Sequence, residues 1–432
     1  MQKKKILFFT RNNNYFLNDL NNVNFFSKIS KDYNCTFYFT RKIYQIHKDQ
    51  KVFCTKNRFR HILWTIITIL VNGLAIKKCT PKNLQFKVDE FCFHTQNNKL
   101  LFLINIIRKI RLEIFTINFL NFLLKTSNEF KNNEEEQELF LIYDGALSLE
   151  SFDIINYANK KNIKSILILN NWDNSTKCHV INPTLVLSWG KRSKEIIEKN
   201  FNLNCKAIGT PRLEHFLKNK KKNKLKMINK KFIKVLFAGS IIPQNDFSLL
   251  KKIDTHIKNK KYKIKIIFRP HPFGFFKNNL LSFKKEKSRY QLKNVEFDKN
   301  LLKKNNKNQK LNYSNFSKID GLICSFSTLT LECAINNLPC LCYAINEEKY
   351  KYFKLFNHEI SCKYAEHLLL LNKYNWPIKA FGENIFLKKF DKLISNIISG
   401  KKNKIIQYIL KQEVEYSDTE YYQRLKKQID YI

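Results

Sequence analysis

An α/β fold built on parallel sheets is predicted by three observations. Short apolar runs that end in polar turns recur along the chain, as at Lys5–Thr10, Leu139–Tyr143, Ser165–Leu169, Ile233–Ala238 and Lys263–Phe268. Between them lie segments whose apolar residues return every three or four positions, and strands alternating with such helices build parallel sheets. The clearest unit is Ile319–Ala344, IDGLICSFSTLTLECAINNLPCLCYA. It reads as a strand from Gly321 to Cys324, a hydroxyl turn, a helix with Leu329, Leu331, Ala334 and Ile335 on one face, and a second strand opened by Pro339. At 432 residues the chain is too long for one core. Two α/β domains are expected, 1–215 and 232–400, joined by a basic linker at 216–231 and followed by a helical segment at 401–432.

Composition narrows the partners. Lys and Arg number 78 against 36 Asp and Glu, a net charge of +42 that attracts nucleic acid, anionic membrane or phosphorylated substrates. The lysines are spread over the chain and no nucleic-acid motif accompanies them, so nucleic acid is not expected. Eleven Cys without CxxC pairs point to a reduced, cytosolic protein, and Met1–Lys5 followed by only Ile6–Phe9 reads as a first strand and not a leader. No His, Cys or carboxylate cluster has ligand spacing, so no metal is expected, and no nucleophile elbow is present.

In chain order, strand Lys5–Thr10 leads to a loop at Arg11–Tyr15, a helix over Asn18–Ile29 and a strand over Cys35–Thr40. Ile62–Ile76 and Leu100–Leu124 are apolar but too short, or too charged at Arg108, Lys109, Arg111 and Glu113, to span a bilayer. Buried helices come first as their reading, and helices on an anionic membrane surface second. Strand Leu139–Tyr143 ends in Asp144-Gly145, where a carboxylate is placed to meet a ligand or simply to form a turn. After strand Ser165–Leu169 comes the polar cluster Asn171-Trp172-Asp173-Asn174-Ser175-Thr176-Lys177. Asp173 there is suited to take a proton from a hydroxyl, Asn171 and Asn174 to orient a sugar, and Trp172 to pack on a ring; an ordinary capped loop is the alternative.

Beyond the strands at Thr184–Ser188 and Lys206–Gly209 and the Lys/Asn-rich linker, the pattern restarts. Gly239-Ser240 follows strand Ile233–Ala238 and allows close backbone approach to a ligand. Strand Lys263–Phe268 runs into Arg269-Pro270-His271-Pro272, whose prolines fix a basic pair suited to a diphosphate. Val295–Phe297 is read as an edge strand and Asp298–Asn315 as an insertion. In the central unit Ser325, Ser327 and Thr328 stand at a helix start, where free N–H groups attract phosphate, with Glu332 one turn on for a ribose diol. Helix capping is the other use of such hydroxyls. Past Ala344 the chain reads as helical over Phe386–Ser399 and Lys404–Lys411, ending in an acidic, Tyr-rich tail from Glu413 to Tyr422.

RPHP at 269–272, SFSTLTLE at 325–332 and LPCLCYA at 338–344 resemble, in that order, the donor half of GT-B glycosyltransferases, especially bacterial surface-glycan members. CDP-glycerol glycerophosphotransferases and sugar-nucleotide 2-epimerases are related. NWDNSTK at 171–177, SWGKRSKE at 188–195 and GTPRLE at 209–214 resemble the end of the first half in that group. The resemblance implies two Rossmann-like domains facing a cleft, a nucleotide donor held by the second, an acceptor by the first, and no bound metal. The expectation built on it is a nucleotide-sugar substrate with no cofactor, a surface-glycan or lipid-linked acceptor, and a cytoplasmic protein peripheral on the inner face of the membrane. By position the resemblance carries over His271 near the donor phosphates, Ser327 and Thr328 as phosphate-contacting hydroxyls and Glu332 as the ribose-contacting acid; the reading of the residues themselves adds Asp144 or Asp173 as the base, with His271 catalytic, and Gly239, Ser240, Arg269 and Ser325 on the donor side. Asn171, Trp172, Asn174 and Arg212 fall to the acceptor. Asp144-Gly145 is similar to the acid-Gly element of bacterial sialyltransferases, though Tyr143 stands where that motif has a second acid. Cys324, eight residues before Glu332, replaces the first acid of the retaining signature, so the stereochemical outcome stays open.

Overall fold

The computed structural model describes residues 3–12, 14–43, 50–75, 102, 106–107, 110, 112–132, 137–145, 148–176, 181–219, 232–239, 246–258, 260–271, 280–298, 316–345, 359, 362–363, 365–374, 376–400, 404–416 and 419–432. The Lys/Asn-rich stretch at 220–231 and most of the 298–315 insertion lie outside them. The chain divides into two compact units, one of Met1–His215, Ala365–His367 and Lys411–Ile432, the other of Phe216–Tyr364 and Leu368–Leu410.

The first unit carries a seven-stranded parallel sheet in the order β3-β2-β1-β4-β5-β6-β7. Its strands are β1 (Lys5–Thr10), β2 (Asn34–Phe39), β3 (Gln50–Val52), β4 (Leu139–Asp144), β5 (Lys164–Leu169), β6 (Leu185–Ser188) and β7 (Cys205–Ala207). Every residue of β4 is buried, as befits the centre of a parallel sheet covered on both faces. The single helix expected over Asn18–Ile29 is two, α1 (Asn14–Asn22) and α2 (Phe25–Asp32). They break at Asn24, which takes a left-handed backbone (φ 52°) that Asn tolerates. The break lays Phe25, Phe26 and Ile29 in the core beside Phe8 and Phe37.

Helices α3 (Arg58–Ala75) and α4 (Glu113–Thr126) pair beside α5 (Leu149–Lys160). Leu63, Trp64, Ile67 and Leu70 pack with Leu120, Leu124 and Phe152. The buried guanidinium of Arg60 donates to both Asp153 oxygens, at 2.6 and 2.5 Å, and ties α3 to α5. Among the described residues no helix is long and apolar enough to cross a membrane. Helix α6 (Lys191–Phe201) completes this part of the unit, and α7 (Pro211–Asn219) starts in it and runs on past its boundary at His215.

The second unit has a six-stranded parallel sheet in the order β10-β9-β8-β11-β12-β13. Strand β8 (Phe232–Ala238) is followed by α8 (Asp246–Ile257), β9 (Lys263–Arg269), α9 (Leu280–Arg289) and the edge strand β10 (Val295–Phe297). Then come β11 (Gly321–Ser325), α10 (Thr328–Ile335), β12 (Cys340–Ala344), α11 (Leu369–Lys373), β13 (Ile378–Phe381), α12 (Phe386–Ser399) and α13 (Ile405–Glu413). Strand β13 corrects the all-helical reading past Ala344: IKAF is short, and only its pairing with β12 makes it a strand.

From Lys411 the chain belongs to the first unit again. The expected tail contains a helix, α14 (Tyr421–Tyr431), whose Tyr421, Tyr422, Leu425 and Ile429 are buried in that unit's core. Tyr421, Leu425 and Ile429 recur every fourth position, which puts them on one helical face.

In both sheets the order reverses once, between β1 and β4 and between β8 and β11. At such a reversal the connections leave on opposite faces, and a crevice opens beyond the carboxyl ends of the two strands.

Candidate active site

In the second unit the reversal lies beside Gly239 and Ser325. Gly239 follows β8, and its N–H donates to the Arg269 carbonyl at 2.8 Å. A Cβ there would stand 2.6 Å from an Asp246 carboxylate oxygen and 3.3 Å from the His271 nitrogen, so glycine lets these strand ends close together. Asp246 in turn accepts from the Tyr343 hydroxyl at 3.1 Å. Ser240 lies outside the described residues.

The expected basic pair is altered on both members. Arg269 donates through Nε to Asp298 at 2.7 Å, so its charge is already matched. Burial lowers the His271 pKa to about 4, which leaves a neutral imidazole at pH 7. A neutral ring still offers one N–H, and an arriving phosphate would raise its pKa.

Ser325 ends β11, and Ser327 precedes α10 in an extended conformation (φ −155°). Its side chain makes no capping hydrogen bond, unlike Ser148, whose oxygen accepts from the Ser151 N–H at the start of α5. Ser325, Ser327 and Thr328 are all half-buried at this strand end. Glu332 is only 3% exposed, so its carboxylate is enclosed by protein. Sequence reasoning passed over Phe326, whose ring stacks on Phe381 at 5.7 Å with 8° between planes, and over Lys363 above Phe381 at 5.1 Å. The signal was an aromatic residue between two serines. It also passed over three buried thiols, Cys324, Cys340 and Cys342, whose sulfurs lie within 4.8 Å of one another because β11 and β12 pair in register there. Burial holds the Cys340 and Cys342 thiols well above their usual pKa, and the Cys324 thiol beside them is raised as well.

In the first unit the reversal lies between Arg11, after β1, and Asp144, the last residue of β4. Arg11 Nε donates to Asp144 Oδ1 at 2.7 Å, and Ser151 Oγ donates to Oδ2 at the same distance. Asp144 is fully buried, and its charge raises the Arg11 pKa. A Cβ on Gly145 would stand 3.0 Å from Asn174 Nδ2, which donates to Asn170 Oδ1 at 2.7 Å. The polar cluster forms a 3-10 turn over Trp172–Thr176, with Asp173 half-buried and Lys177 outside the described residues.

Two expected acceptor residues are turned to the protein itself. Trp172 is 3% exposed, its ring meets His367 edge-on at 5.2 Å, and its N–H donates to Glu413 at 2.8 Å, so the indole is a core group and not an open ring face. Arg212 pairs with buried Asp19 at 2.9 Å and holds Asn171 Oδ1 at 2.8 Å, which pins the loop from α7.

No protein-family model matches the sequence, and no curated protein matches it. Among solved structures, the UDP-GlcNAc 2-epimerase from Methanocaldococcus jannaschii aligns at a TM-score of 0.50 and 10% identity, over 99% of each chain. A glycosyltransferase from Rickettsia africae aligns at 0.44 and 9%, over 100% of this chain and 98% of that one. The wall teichoic acid polymerase TagF aligns at 0.46 and 12%, over 99% and 88%. The chain has the GT-B fold.

Within the GT-B frame each unit offers its own chemistry. The second presents, at one reversal, a backbone free of Cβ at Gly239, a neutral imidazole, a row of hydroxyls before a helix and an aromatic pair. Those are groups for phosphate oxygens and a flat ring. The first presents a fixed carboxylate, Asp144, and a second, less enclosed one at Asp173.

Proposed function

We propose that the protein is a glycosyltransferase that moves a sugar from a nucleotide-sugar donor to a surface-glycan or lipid-linked acceptor, working in the cytoplasm at the inner face of the membrane. The observation that carries this reading is the gathering of Gly239, His271 and the Ser325–Thr328 turn at the order reversal of the second sheet. The donor's phosphate oxygens sit against the N–H groups opening α10, with Ser327 and Thr328 donating and His271 contributing its N–H to the leaving phosphate. The base stacks by the Phe326–Phe381 pair. An acceptor hydroxyl gives its proton to Asp173 or Asp144 and attacks the anomeric carbon as the bond from that carbon to the phosphate oxygen breaks, which inverts the centre. No metal or cofactor takes part in this scheme; the donor is a substrate.

Thermal-shift binding to UDP, GDP, CMP and CDP tests it, with Glu332→Ala and His271→Ala as controls. Stabilisation by one base that both substitutions remove supports the site and names the donor class. No selective stabilisation of the folded wild type overturns it. Product mass then separates sugar transfer from transfer of an alcohol phosphate, and interconversion of the sugar nucleotide without an acceptor would make the chain an epimerase.

A further inference from the structure

The α3–α4 pair is apolar on both sides. Its inner side is the cluster with Phe152. On its outer side Phe115, Phe119 and Phe122 are 68%, 52% and 61% exposed. Their spacing of four and three residues puts them on one face of α4. Phe115 and Phe119 lie parallel, centroids 6.5 Å apart. Ile114 on α4 and Phe59 and Ile62 on α3 are exposed as well. Single apolar residues on a surface are ordinary, whereas such a run marks a contact.

Charge says what the contact is. Residues 54–126 contain twelve Lys and Arg against three Asp and Glu. Among the described residues of this stretch, Lys56 and Arg58 at the start of α3 and Lys125 at the end of α4 are exposed, and Arg60 is buried and held by Asp153. A second copy would bring another chain of net charge +42 against the exposed Lys56, Arg58 and Lys125, so an anionic surface is the better complement. We propose that the outer face of α3–α4 seats the protein on a bilayer rich in anionic lipid. The phenylalanines enter the acyl boundary and the flanking cations meet headgroup phosphates, without any helix spanning. This rests on the membrane-face reading above, and its test reads lipid instead of nucleotide.

The experiment is co-sedimentation of the full chain with vesicles of phosphatidylglycerol and phosphatidylcholine, or of phosphatidylcholine alone. Binding to the anionic vesicles is expected to be at least ~10-fold tighter, and Phe115→Glu/Phe119→Glu to weaken it at least ~10-fold with an unchanged melting temperature. Leu281→Glu, at an exposed apolar residue of the second unit, should leave it unchanged. Phe119→Trp gives a second readout: Trp64, Trp172, Trp189 and Trp376 are all buried, so a blue shift and quenching by brominated acyl chains would report the new indole. Absence of vesicle binding overturns the proposal. So does a double variant that binds as well as wild type, which means charge alone, or one that instead loses a dimer in light scattering, which means a contact between copies. Lipid binding without nucleotide selectivity would overturn the transferase reading and leave the membrane face standing.

Discussion

The indole N–H of Trp172 donates to Glu413 Oε2 at 2.8 Å, joining the loop after β5 to the C-terminal return 241 residues away. Glu413 is fully buried, its second oxygen has no hydrogen-bond partner among the described residues, and burial raises its pKa to about 8. The folded chain thus holds a proton here that the unfolded chain releases near pH 4.5. Between those values the native state binds more protons, so this group's contribution is full at low pH and is lost as pH rises toward 8. Glu413→Gln keeps an acceptor for Trp172 and cannot ionise. Its stability advantage over wild type should grow from pH 5 to pH 8, by on the order of a few kcal/mol. Urea midpoints at the two pH values measure this; a constant difference would place the ionisation elsewhere.

Two glycines make room for the same return. A Cβ on Gly190 would lie 2.3 Å from the Glu413 carbonyl carbon, and one on Gly209 2.3 Å from the Glu415 oxygen, the latter at φ +84°. Both neighbours are backbone and cannot turn aside. Gly190→Ala and Gly209→Ala should each cost roughly 2–4 kcal/mol and detach the C-terminal segment. Limited proteolysis would then cut within 411–432 before the sheets unfold. Variants as resistant as wild type would show that the segment shifts to accommodate the methyl group.

These glycines also show what was legible in the sequence. SWG and GTPR stood out as motifs of an acceptor domain, but the glycines face a chain end two hundred residues on, a contact that local spacing does not encode. The central strands are readable because β4 and β11 are short, nearly unbroken apolar runs and β8 is broken only by Lys234, as strands of a sheet covered on both faces are. β13 is not, because four residues carry no period. RPHP reads as a basic pair, whereas burial of His271 and the Asp298 partner of Arg269 decide its charge, and neither is visible from sequence. Leu100–Leu124 reads first as a buried helix and second as a helix on a membrane surface, and only packing shows that Phe115, Phe119 and Phe122 of α4 face outward.

Asp144 and Asp173 should separate in a pair of substitutions. Asp144 is fixed by Arg11 and Ser151 and lies fully inside, so Asp144→Asn loses an ion pair as well as any proton acceptor. Arg11 is partly exposed and screened, which holds the expected loss of stability to about 1–2 kcal/mol. Asp173 is half-buried, and Asp173→Asn should leave the melting temperature near wild type. If Asp173 is the base, its substitution lowers kcat at least ~100-fold with donor affinity kept. Equal residual activity in the two variants would rule out both as the base.

His271 should respond to acid in two opposite ways. Burial lowers its pKa to about 4 from an ordinary 6.5, so between these values the unfolded chain binds the proton more readily. The stability this group contributes is present above pH 6.5 and lost as pH falls toward 4, on the order of 3 kcal/mol. A diphosphate beside the ring reverses the balance, because an anion favours imidazolium, so binding takes up a proton. Wild-type affinity for the cognate nucleoside diphosphate should therefore rise several-fold, relative to His271→Ala, from pH 7 to pH 5. The ratio to the variant cancels protonation of the nucleotide itself. Calorimetry in buffers of different ionisation enthalpy counts the proton directly. Uptake in wild type that vanishes in the variant puts the imidazole at the phosphate, and equal uptake in both would remove His271 from the site while leaving its role in acid stability intact.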